Sequence, residues 1–313
     1  MTSPKPEPAG EQRLTWLVLV VALVLAAWLV RRAKPPPAEA PRLDLISAVP
    51  SGPEMLLTVD VESLGAAAAD ELLRAGGSAL LGLRDQCGFE PVLGLRRVAF
   101  VTPPAAAGQS AGDFALIAET SLLPEPVLRC AEAVIRKRGG QPVRSTLGAF
   151  TSVRDQGKPL GEVAMRSDGL FILSGGQYFR NVVDAAGGAV AGDEAARLRS
   201  QVHLRMRRKL VPSQLVFTLI PSVTSSLTGV QALGLGLAVH DKLELRGFVG
   251  CRSAAACSDA RELAVHFRDE LARDPSVSGL AALRIVQQEQ QLVVDVQLPR
   301  AQLAALLSQL LAL

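Results

Sequence analysis

The stretch that most constrains this chain is Leu14 to Val30, LTWLVLVVALVLAAWLV, which holds no charge, no Gly and no Pro. As a helix it would span roughly 26 Å, near the short limit for crossing a hydrocarbon core. Trp16 and Trp28 stand at its two ends, where indole rings favour the headgroup region, and Arg31, Arg32 and Lys34 follow at once. It reads as one membrane-spanning helix, with the rest of the chain hung from it.

Two other readings fit less well. Ala38-Glu39-Ala40 has the small-residue pattern of a signal cleavage site, but Pro41 follows it directly and the apolar core is long for a signal. A buried amphipathic helix would carry polar residues at regular spacing, whereas Thr15 is the one plainly polar residue here. With no Cys beside the segment, a lipid-modified terminus is not indicated. Lys5 and Arg13 on one side nearly balance Arg31, Arg32 and Lys34 on the other, so the positive-inside rule leaves the orientation open.

Cysteine usage breaks that tie. Cys87 and Cys130 fall in one half of the chain, Cys251 and Cys257 in the other. None forms C-x-x-C and no His sits at zinc-ligand spacing, which argues against a metal site; no cofactor is implied. Pairing within each half, Cys87 with Cys130 and Cys251 with Cys257, is the favoured reading, and four reduced buried thiols are the alternative. Disulfides imply an oxidising compartment and therefore a body outside the cytoplasm. A cytoplasm-facing body is the other possibility.

The expected organisation is a disordered stretch at 1–13, the transmembrane helix at 14–30 and a Pro-rich linker at 31–48. A first α+β repeat follows at 49–192, then a basic helix with a second α+β repeat at 193–313. Met55–Val61 (MLLTVDV) and Leu215–Ile220 (LVFTLI) read as matching strands, each preceded by Val-Pro-Ser, at 49–51 and 211–213. Asp168-Gly169 marks a tight hairpin between Glu162–Arg166 and Leu170–Leu173. Helices are expected at Glu62–Leu83, Pro126–Arg138, Gln177–Ala186, Glu194–Leu210, Ala260–Leu271 and Ala301–Leu311. The order of elements predicts an internal duplication: two tandem two-layer units, each an antiparallel sheet backed by helices. Val134 and Phe267 are predicted buried, Arg136 and Arg268 exposed.

Motifs for chemistry are sparse. Gly108-Gln109-Ser110-Ala111-Gly112 matches G-x-S-x-G, but the nucleophile elbow needs a strand before it and a helix after it. Here Pro103-Pro104 and three alanines precede it and a strand follows, so the match reads as a small-residue loop; an envelope serine hydrolase using Ser110 is the enzymatic alternative. His203, His240 and His266 form no recognisable triad. Gly234-Leu235-Gly236 is a fragment, not a phosphate loop. The clearest candidate contact is the helix before the second half. There Arg197, Arg199, Arg205, Arg207, Arg208 and Lys209 make a basic surface suited to an anionic partner, with Leu198, Val202, Met206 and Leu210 as its apolar stripe. It has no aromatic for base stacking and the proposed compartment lacks nucleic acid, so no nucleic-acid partner is expected.

With the anchor and the Pro-rich spacer, the passages VPSGPEMLLTVDVESL and CGFEPVLGLRRVAF make the chain resemble the uncharacterised single-pass envelope proteins of GC-rich Gram-negative bacteria. The resemblance implies an envelope location and no activity, so it transfers no functional residue. The expectation is a non-enzymatic inner-membrane protein with its body in the periplasm, binding or scaffolding an unidentified envelope protein.

Overall fold

MLLTVD and LVFTL are short, mainly apolar runs rich in residues that pack well on a pleated surface. In the computed structural model they become the strands β1 (Met55–Asp60) and β8 (Leu215–Leu219). They pair with each other: the register is antiparallel, with Leu56 opposite Thr218 and Leu57 opposite Phe217. The structure describes residues 43–63, 87–89, 94–104, 113–157, 161–175, 178–189, 192–221, 229–273 and 275–299. The chain separates into Met1–Leu43 and Asp44–Leu313, and every element below belongs to the second unit.

The remaining strands are β2 (Leu95–Thr102), β3 (Ala115–Thr120), β4 (Pro142–Leu147), β5 (Phe150–Asp155), β6 (Glu162–Arg166) and β7 (Leu170–Ser174) in the first half. In the second half they are β9 (Val230–Val239), β10 (Lys242–Cys251), β11 (Arg284–Gln288) and β12 (Gln291–Pro299). All twelve join one sheet in the order β11-β12-β10-β9-β8-β1-β2-β3-β7-β6-β5-β4. Each neighbouring pair is antiparallel. At the β6–β7 turn Gly169 has φ +89°, and a Cβ there would stand 2.3 Å from the carbonyl oxygen of Thr120. Only glycine allows that approach.

The α-helices that lie wholly within the described residues are α1 (Pro124–Lys137), α2 (Tyr178–Ala186), α3 (Glu194–Leu210) and α4 (Ala254–Leu271). Side chains alternate across a strand, so the register sorts them by face. On one face α1 packs Leu128 against Val153 and Met165 of β5 and β6. On that same face the 3-10 helix at Pro275–Ala282 places Leu280 against Leu237, Leu243, Val296 and Leu298, and α4 packs through Cys257 onto Leu292. The opposite face carries α2, α3 and the short 3-10 turn Leu45–Ala48. Burying a leucine such as Leu128 is worth about 1.5–3 kcal/mol.

This architecture corrects the expected fold. Two tandem two-layer units do not form; a single twelve-stranded sheet runs through both halves, because β1 and β8 use each other as partners instead of each lying in its own sheet. Among the described residues no helix is long and apolar enough to cross a membrane, and Leu14–Val30 lies outside them. The expected helix at Ala301–Leu311, and most of the one at Glu62–Leu83, also lie outside. Strand β4 was not expected; PVRSTL carries no apolar alternation because it lies at the sheet edge, with every residue at least partly exposed.

The face of α4 is also corrected. Leu263 and Phe267 are 67% and 44% exposed. Cys257, joined to Cys251 at the end of β10, pins the helix by its small-residue side, so Cys257, Ala256 and Ala260 meet the sheet and the larger residues turn outward. Arg268 is correspondingly drawn in, its side chain only 26% exposed. Val134 is half-buried and Arg136 exposed.

Candidate functional site

The helix α3 starts and stops where its sequence says it should. Asp193 caps it by accepting a 2.8 Å hydrogen bond from the amide of Ala196. Arg207, Arg208 and Lys209 occupy its last turn, where cations complement the helix dipole. Pro212 follows the final turn and disfavours helical backbone at the residue before it.

His203, Met206 and Leu210 form its buried stripe. Two glycines of β9 let that stripe come close to the sheet. A Cβ on Gly236 would lie 2.6 Å from Ser213 Oγ and 3.1 Å from Leu210 Cβ, and one on Gly234 would lie 3.1 Å from Leu210 Cδ1. The Gly-Leu-Gly fragment is thus a seat for a helix.

His203 is 2% exposed and both ring nitrogens are engaged. Nε2 is 2.9 Å from the carbonyl oxygen of Pro53, which can only accept, so Nε2 carries the proton in the neutral ring. Nδ1 then accepts from Thr218 Oγ1 at 2.7 Å. Burial, aided by the nearby Arg199 and Arg207, pulls the imidazole pKa down to about 4, against the opposing pull of the Pro53 carbonyl. This is a structural histidine, neutral at pH 7. His240 is exposed in the turn between β9 and β10, and His266 is exposed on α4, 3.4 Å from Glu270.

The six basic residues expected to act together are divided by the structure. Arg207 points inward and donates a 2.5 Å hydrogen bond to Thr58 Oγ1. Burial pulls its pKa down, and the Asp44 carboxylate opposes that shift. Arg199 also points inward, donating to the Ile220 carbonyl at 2.9 Å. Lys209 is exposed, with Nζ 5.0 Å from the centre of the Phe248 ring. Arg197, Arg205 and Arg208 are exposed. Two of the six therefore fasten the helix, and four remain at the surface.

Beyond the end of α3, on the same sheet face, is a groove of about 270 Å³. Leu210, Pro212 and Val293 line its apolar part, and Glu244, Arg246 and Asp295 its polar part. Arg246 stands opposite Asp295 across β10 and β12, and Glu244 opposite Gln297, whose Nε2 donates to Glu244 Oε1 at 3.3 Å. The sequence held a signal for this surface: in KLELRG and VDVQ the polar residues recur every second position, the mark of a solvated sheet face. Among the described residues no group of His, Cys, Asp and Glu could hold a metal ion. Ser110 lies outside the described residues.

Both cysteine pairs are joined: Cys87 to Cys130 of α1, with Cα atoms 4.9 Å apart, and Cys251 to Cys257, with Cα atoms 5.4 Å apart.

No protein-family model matches the chain, and no curated protein matches its sequence. The fold is similar to that of TP0453 in crystal form III, with a TM-score of 0.51 at 12% identity, over 86% of this chain and 100% of that one. Crystal form I of TP0453 aligns over 86% of this chain and 98% of that one, at 13% identity and a TM-score of 0.46. Likeness at this identity is a likeness of fold alone.

Proposed function

We propose that this chain is a membrane-anchored, non-catalytic protein of the cell envelope, held by Leu14–Val30, with its body on the oxidising side of the inner membrane, where it binds or scaffolds other envelope components. The observation that carries this reading is the closure of both disulfides, Cys87–Cys130 and Cys251–Cys257. Such bonds persist in the periplasm and are rare in the cytosol. The apolar run and its flanking Trp and Arg residues supply the anchor. The envelope proteins that the chain resembles in layout agree with it. A reporter that is active only outside the cytoplasm, fused after Leu313, should be active; a silent fusion, with a cytoplasm-only reporter active at the same site, would reverse the topology.

A further inference from the structure

We propose that the outward face of α3 lies against the anionic phospholipid headgroups of the same membrane that holds the anchor, an inference that rests on the anchored reading above. Three observations carry it. First, Arg197, Arg205, Arg208 and Lys209 are exposed on this helix. Arg197, Arg205 and Arg208 form no ion pair among the described residues, and Glu194, in the first turn, is the helix's sole acidic residue. Second, apolar side chains flank the cations: Leu198 is 52% exposed, Leu204 41% and Val211 62%. Cations interleaved with exposed aliphatic residues are the composition of a helix that lies at a membrane surface.

Third, the other exposed apolar helix face does not share this charge. Leu263 and Phe267 of α4 sit among Asp259, Glu262, Asp269 and Glu270 as well as Arg261 and Arg268. An anionic surface would select α3 over α4 on charge alone.

The test uses the full chain, reconstituted into vesicles of phosphatidylcholine alone or of phosphatidylcholine with phosphatidylglycerol. An environment-sensitive dye is placed at Leu204→Cys and, in a separate sample, at Leu263→Cys on the opposite sheet face. Flotation with both vesicle types reports the anchor. The dye at position 204 should shift to the blue only in the anionic vesicles, and the dye at 263 should not respond. The shift should fade at high salt, and the docked-to-undocked ratio should fall about fivefold for each of Arg197, Arg205 and Arg208 changed to Gln. No shift at 204, an equal shift on neutral vesicles, or an equal shift at 263 would overturn the proposal while leaving the anchor standing, and would point to an acidic protein instead. Failure to float with either vesicle type would refute the anchored reading and this inference with it.

Discussion

Thr58, in the first strand of the sheet, accepts a 2.5 Å hydrogen bond from Arg207 Nη1, a residue 149 positions further on. Beside it, His203 of the same helix reaches back to the carbonyl of Pro53 at 2.9 Å and to Thr218 at 2.7 Å. The helix α3 therefore locks the two central strands from above while β1 and β8 pair edge to edge. Neither half has a complete sheet without the other.

This interlocking predicts that the body unfolds as one cooperative unit. Denaturant melts followed by a probe in β5 and by another in β10 should coincide. Leu56, 2% exposed at the central pair, should cost about 2–5 kcal/mol when changed to Ala, with both probes shifting together. Two separated transitions would show independent halves.

The buried His203 makes stability depend on pH. Its pKa is pulled from the ordinary 6.5 down to about 4 in the folded state. The unfolded chain therefore takes up a proton first as pH falls. The contribution is complete above pH 6.5 and is lost progressively down to about pH 4, to the extent of about 3 kcal/mol. Chemical denaturation across this range should show the slope, and His203→Gln should flatten it.

The basic helix was legible in the sequence to the residue, because Asp193 as cap, a dense cationic stretch and a closing Val-Pro mark both ends. The hairpin at Asp168-Gly169 was legible for a similar local reason, and the two cysteine pairs from their division between the halves of the chain. The joining of the halves was not. Strands β1 and β8 have apolar runs that fit either a sheet of their own or a shared one, and register across a separation of 158 residues, as between Thr58 and Val216, leaves no mark in local pattern. The division of the basic cluster was hidden for the same reason: whether Arg207 faces solvent or Thr58 depends on which strand lies beneath it.

The outward turn of α4 yields a contrast between two large apolar residues. Phe267→Ala should cost under about 1 kcal/mol, since the ring is 44% exposed. Leu128→Ala, at a site 2% exposed under α1, should cost about 2–5 kcal/mol. Melting curves of the two variants side by side decide whether α4 packs by its small face.

Replacing Cys251 and Cys257 together by Ala should lower stability by about 2 kcal/mol, the entropy of closing a short loop. Their sequence separation is 6 residues, the shorter of the two bridged loops. Measured under reducing conditions, the difference between this variant and the unsubstituted chain should shrink toward zero.

An envelope role requires the body to meet an oxidising compartment, and the thiols report that directly. Living cells would be treated with a membrane-permeant alkylating reagent, and the isolated intact chain weighed before and after reduction and a second alkylation. If both bridges are closed in the cell, no adduct forms in the first step and adducts appear on Cys87, Cys130, Cys251 and Cys257 in the second. Alkylation of Cys251 and Cys257 in the first step, before any reduction, would contradict that role, and would place the body with the reduced proteins of the cytoplasm.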